Sequence, residues 1–147
     1  DGFLKITDRK KEMFKTSGGK YIIPTLIENE LKESNFIEQV MVIGENEKMP
    51  AALIQINFDF IKEWIDRKNL KIDKDHEEII KSTKVINRIQ IEVDKCNLRF
   101  GKWEQIKRFE LTPNIWSIEN DHLTPTMKMK RSVILKVHQS LVDKIYK

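Results

Sequence analysis

The runs Ile37-Glu38-Gln39-Val40-Met41-Val42-Ile43 and Ala51-Ala52-Leu53-Ile54-Gln55-Ile56 decide the fold. Both are apolar and rich in β-branched residues. The stretch Gly44-Glu45-Asn46-Glu47-Lys48-Met49-Pro50 between them is polar and turn-forming. Together they predict an antiparallel hairpin in the core. Upstream, Phe3-Leu4-Lys5-Ile6-Thr7 reads as a short strand, and Thr16-Ser17-Gly18-Gly19-Lys20 as a loop in which paired glycines permit positive φ. Pro24-Thr25 opens a helix. Thr25 is its expected N-cap, with Glu28 three residues on as a capping box, and Leu26, Ile27 and Leu31 as its apolar face.

Downstream, Phe60, Ile61, Trp64 and Ile65 have helical spacing and predict a helix over about 58–68. Residues 69–82 read as a charged connection with room for a short helix. Ile86, Ile89, Val93, Cys96 and Phe100 mark one face of a long amphipathic helix that Gly101 should end. Ile106 to Leu111 reads as a third core strand, and Pro113 through Pro125 as loop. Ile134, Val137, Leu141 and Ile145 define a last helix, about 131–146. The expected fold is α+β. It has a small antiparallel sheet of about three strands, an N-terminal two-stranded element, and three or more helices packed on them.

The composition narrows the function. At 147 residues the chain is the size of one domain. The net charge is +4, a mild basic bias that does not call for a nucleic-acid partner. A single cysteine allows neither an intrachain disulfide nor a cysteine-based zinc site, which fits a reducing, cytoplasmic setting. No apolar run approaches the roughly 18 residues of a membrane span. The chain opens at Asp1 on strand-like sequence, so it is expected to be part of a longer polypeptide.

Three segments carry the chemistry: residues 7–15, the pair Gly18-Gly19, and Leu123-Thr124-Pro125-Thr126-Met127-Lys128-Met129-Lys130-Arg131. No acidic residue lies between His122 and Val142, whereas Lys128, Lys130, Arg131 and Lys136 do. Such a loop before a helix suits a phosphate or carboxylate ligand; a solvated basic face is the alternative. The glycine pair is neither a Walker A loop nor a dinucleotide fingerprint. Cys96 is expected in the core. His76, His122 and His138 lack metal-ligand spacing and are expected at the surface or in caps, and no metal site is expected. Trp64, Trp103 and Trp116 are expected to pack the core or the sheet.

Together these segments resemble the carboxy-terminal domain of the adenylate-forming acyl-CoA synthetases. That family includes fatty acyl-CoA ligases, firefly luciferase and nonribosomal peptide adenylation domains. Residues 1–11 resemble its hinge motif, Lys15 through Pro24 its glycine loop, and residues 123–131 its carboxy-terminal lysine motif in the long-chain fatty acyl-CoA ligase form. The resemblance spans essentially the whole chain. It implies that residues 1–147 are the small, mobile domain of such a ligase. A large amino-terminal domain, not contained here, would be its partner and would bind ATP, Mg²⁺ and the fatty acid. Two half-reactions are implied: a carboxylate and ATP give acyl-adenylate and pyrophosphate, then CoA displaces AMP. By resemblance, Arg9 contacts the nucleotide ribose, Lys11 is the hinge, and Lys128 is the nucleotide-contacting lysine that catalyses adenylation. Lys15 serves thioester formation, and Gly18 and Gly19 face CoA. Lys130 and Arg131 are either surface charge or contacts to CoA phosphate. Peripheral membrane association of the parent is compatible with this picture. A ligase for another carboxylic acid, or a stand-alone basic binding module, are the competing readings.

Overall fold

The computed structural model describes residues 13–146. Two short strands, β1 (Phe14–Lys15) and β2 (Tyr21–Ile22), pair antiparallel around the glycine loop. This is the expected two-stranded element; the strand read at Phe3–Thr7 lies outside the described residues. Helix α1 (Pro24–Leu31) leads to β3 (Ile37–Ile43) and β4 (Ala51–Ile56). Helices α2 (Phe58–Arg67), α3 (His76–Lys81) and α4 (Thr83–Asn97) follow. One 3₁₀ turn (Lys102–Glu104) precedes β5 (Arg108–Leu111), and α5 (Arg131–Val137) and α6 (Gln139–Tyr146) close the chain.

The hairpin forms as read, with Ile43 opposite Ala51 and Val40 opposite Ile54. All six residues of β4 are buried, the mark of a central strand covered on both faces. Ala52, Ile54 and Ile56 join Val40 and Val42 under α1, α2 and α4, where Ile27, Ile61, Ile89 and Val93 are buried. Ala51, Leu53, Met41 and Ile43 face the other way, onto Trp116, Leu123, Ile134 and Ile145. Residues 116–146 therefore cover the second face of the sheet.

Several expectations need correction. The three-stranded sheet is mixed, because β5 runs parallel to β4. A parallel return needs a long crossover, and α2, α3 and α4 supply it. The long helix ends at Asn97, before Gly101, which opens the 3₁₀ turn instead. The last helix is interrupted at His138, leaving Val137 exposed while Ile134 and Ile145 are buried. The cap of helix α1 lies two residues earlier than read: Ile23, not Thr25, is the N-cap, Pro24 takes the first helical position, and Leu26 faces solvent.

Gly44, at the end of β3, has φ +142°, and a Cβ there would sit 3.0 Å from both Met49 O and Pro50 Cα. Backbone on both counts cannot yield as a flexible side chain would. Gly44→Ala should therefore cost about 1–3 kcal/mol. Urea unfolding should show it as a lower midpoint with an unchanged slope.

Candidate functional site

Lys128 sits on a tight hairpin whose geometry follows from its neighbours. The Met127 N–H donates to Thr124 O at 2.7 Å, and the Thr124 N–H to Lys128 O at 2.8 Å. Leu123 bridges Met129, and the Lys130 N–H donates to His122 O at 2.8 Å, closing the base. The result is a three-residue loop, Pro125 to Met127, whose last residue is left-handed and bulges the returning strand. Met127 takes that position with φ 67°. Pro125 pre-sets its own φ, and Thr124 Oγ1 accepts the Lys128 N–H at 3.1 Å. The backbone of Lys128 is thus pinned from two atoms of Thr124 while its side chain is exposed.

A buried ion pair anchors the far end of this hairpin. Arg131 Nη1 and Nη2 each lie 2.7 Å from one carboxylate oxygen of Glu28. Glu28 is only 3% exposed, and its Oε2 also accepts the Val42 N–H of β3 at 2.8 Å. Glu28 is therefore not the capping-box partner of Thr25. It turns inward and joins α1, β3 and the lysine hairpin at one carboxylate. Lys130 pairs with Asp121. A cleft of about 590 Å³ opens beside Lys128, lined among others by Asn29, Lys32, Gln39 and Arg131. Glu28 also lines it and is paired with Arg131, so Lys32 and Lys128 are the cations that suit it to an anionic group.

The glycine loop has the same turn. The Gly19 N–H donates to Thr16 O at 3.0 Å and the Thr16 N–H to Lys20 O at 2.9 Å, with Gly19 left-handed at φ 85°. In both loops a threonine stands first, a left-handed residue fourth and a lysine fifth. Gly19 is needed for its φ. Gly18 is not: its φ is ordinary and a Cβ there would meet nothing within 4 Å. The loop is docked on the β3–β4 turn by Ser17 N–H to Glu47 O (2.8 Å) and Asn46 N–H to Lys15 O (3.0 Å). Lys15 is exposed beside Tyr21, its Nζ 5.8 Å from the ring centroid. Lys15, Gly18 and Gly19 do not line the cleft at Lys128. Arg9 and Lys11 lie outside the described residues.

Other expectations meet mixed outcomes. Cys96 is buried in the core, and burial above all pushes its thiol up to about 11, away from nucleophile chemistry. Trp116 is buried, its indole N–H donating to Thr112 Oγ1 at 3.0 Å. Trp103, 50% exposed, packs on Gly101 beneath the Lys20 ammonium and does not join the core. His122 and His138 are not at the surface: both are buried and their Nε2 atoms lie 3.0 Å apart. Sixteen residues of separation carry no helical or strand period, so no signal in the sequence pairs them. His76 stacks on Phe58 at 3.7 Å at the start of α3. No group of three or more metal-ligating side chains occurs among the described residues.

Comparison with known proteins gives the family. Residues 12–147 match the family model of the AMP-binding enzyme C-terminal domain. The chain is 33% identical over 146 residues to the long-chain-fatty-acid–CoA ligase FadD15 of Mycobacterium tuberculosis, covering 99% of this chain and 24% of that one. It is 36% identical over 149 residues to fatty acyl-CoA synthetase B of Dictyostelium discoideum, covering 99% and 22%. The chain thus spans about a quarter of the length of these curated relatives. Among solved structures, the A domain of carboxylic acid reductase from Segniliparus rugosus, in complex with AMP and a co-purified carboxylic acid, shares the fold. Its TM-score is 0.73 at 16% identity, over 92% of this chain and 20% of that one.

Arg131→Ala would strand a buried carboxylate against the sheet. It should lower unfolding free energy by about 3 kcal/mol in chemical denaturation, the lower part of the range for breaking a buried pair, since the arginine is partly solvated. Glu28→Gln, which keeps an acceptor for Val42, should cost less.

Proposed function

The chain belongs to the AMP-binding enzyme C-terminal domain family, and from that premise we propose that it is the small, mobile domain of an ATP-dependent long-chain fatty acid–CoA ligase. The long-chain specificity rests on the names of the relatives. The acyl pocket, the ATP phosphates and Mg²⁺ belong to the large domain that such a ligase would place ahead of this one. The single observation that carries a catalytic role is the pinned hairpin: an exposed lysine on a backbone held at both ends, beside a cation-lined cleft.

In the first half-reaction, a fatty carboxylate oxygen attacks the α-phosphorus of ATP. The bond to the bridging oxygen breaks and pyrophosphate leaves with the electron pair. Negative charge grows on the α-phosphate oxygens, and the ammonium of Lys128 meets it in a water-poor site, an effect commonly worth a few kcal/mol. A rigid backbone matters because a donor displaced by an ångström loses much of this effect. Arg9 would hold the ribose with its planar fork. Rotation about Lys11 would then exchange the lysine hairpin for the glycine hairpin. In the second half-reaction, the CoA thiolate attacks the acyl carbon and AMP leaves. Lys15 would assist there, and Gly18, whose glycine identity the fold does not require, would leave room for the pantetheine arm. Lys15, Gly18 and Gly19 do not line the cleft beside Lys128, which suits a domain that uses the two hairpins in turn.

In the full-length ligase, Lys128→Ala should cut fatty-acid-dependent ATP–pyrophosphate exchange by about 10²-fold or more, while supplied acyl-adenylate and CoA are still converted to thioester. Lys15→Ala should show the opposite pattern. The contrast separates chemistry from folding, since misfolding depresses both steps. Gly18→Ala should leave the unfolding midpoint unchanged and slow only thioester formation; an equal loss in both half-reactions would remove Gly18 from the CoA path.

A further inference from the structure

The hairpin that presents Lys128 stands on two buried imidazoles. His122 and His138 are 2% and 5% exposed, and their Nε2 atoms lie 3.0 Å apart. Nδ1 of His122 is 3.0 Å from the carbonyl oxygen of Asn120. A carbonyl only accepts, so that nitrogen carries the proton of a neutral His122. Its Nε2 is then a lone pair, and His138 must donate from its own Nε2. Trp116 lies against both rings, with centroids 6.0 and 6.4 Å away.

The position of this bond gives it consequence. His122 opens the hairpin, and its carbonyl receives the closing Lys130 N–H. His138 is the residue at which α5 gives way to α6. The imidazole pair therefore ties the base of the hairpin to the far end of the helix the hairpin feeds. One added proton is compatible with the bond, since one nitrogen of the facing pair can still accept. A second is not: two N–H groups and two positive charges would face each other at hydrogen-bond distance in a buried site.

We propose that the His122–His138 bond is a proton-sensitive positioning lock on the Lys128 hairpin, closed while the pair holds at most one extra proton and opened when both rings are charged. The proposal rests on the reading of Lys128 as the adenylation lysine. Burial first, and the charge of His122 second, hold His138 below the usual histidine range. The surroundings offer a second charge little relief. Asp121, next to His122, is already paired with Lys130. The groove onto which His138 opens carries Lys81, Lys107, Arg108 and Lys144 against Glu77 and Glu110, with Glu110 paired to Lys144. The sign follows from linkage. Above about pH 6.5, His138 is neutral in both the folded and the unfolded chain. As pH falls through that value, the unfolded chain takes up a proton that the folded one refuses, so stability declines.

Two measurements decide. In nitrogen-15 NMR of the chain, His138 should titrate below the usual histidine midpoint, and the amides of Thr124, Lys128 and Lys130 should move with the pair. His138→Gln, which keeps a donor facing His122 without titrating, should abolish that movement; hairpin amides indifferent to histidine protonation overturn the lock. In the full-length ligase, ATP–pyrophosphate exchange should fall by up to about tenfold per pH unit below the pair's midpoint, as for one linked ionisation. Thioester formation from supplied acyl-adenylate should lack that limb. His138→Gln should flatten the acid limb of exchange; an unchanged limb overturns the lock. If that variant does not fold, the wild-type NMR titration decides alone. Should Lys128→Ala retain exchange, the adenylation role falls, while the NMR arm still judges the lock by itself.

Discussion

Arg131 reaches back across 103 residues of chain to place both ends of its guanidinium on one carboxylate, that of Glu28. A carboxylate taken out of water is costly unless its oxygens are paired and hydrogen-bonded. Here one oxygen takes an arginine N–H, and the other takes a second arginine N–H together with the Val42 amide. That single requirement organises much of the domain. It turns Glu28 away from the helix start and satisfies a backbone donor of β3. It also fixes where the lysine hairpin meets α5. Because α1 follows directly from β2, the same helix ties the glycine hairpin by chain continuity and the lysine hairpin by charge.

The two hairpins solve one problem with the same backbone. Each uses a threonine to receive and donate across the turn, a left-handed fourth residue, and a lysine fifth. At the fourth position the glycine loop spends no strain, whereas Met127 carries a cost of about 1–2 kcal/mol for an L-residue in that region. The surrounding bonds, Thr124 to Lys128 and His122 to Lys130, hold Met127 there. Strain held in this way is compatible with a fixed display of the next side chain, Lys128. The glycine loop is different in kind: open space at Gly18 leaves the backbone approachable from outside.

Much of the fold was legible because its signals are local. The β3–β4 hairpin, the helix at 58–67, the short helix within the charged connection and the face of α4 through Val93 and Cys96 all follow from period and turn chemistry. So did the membership, since the lysine and glycine motifs are contiguous strings in the chain. Misreadings arose where a long-range partner overrode a local preference. Thr25 and Glu28 spell a capping box, yet Arg131, far along the chain, claims the buried carboxylate. Val137 keeps the helical period, yet the chain breaks at His138, where its ring meets His122.

Residue order alone therefore determined the core hairpin, most of the helices with the apolar faces of α2 and α4, and the glycine loop, because each depends on neighbours a few positions apart. Tertiary structure alone decided that β5 returns parallel, since strand direction depends on where a three-helix crossover ends. It alone brought Arg131 to Glu28 and His138 to His122, since no spacing rule links residues on different elements. Buried polar groups must find partners wherever the packed chain supplies them, and packing, not sequence separation, sets which ones are within reach.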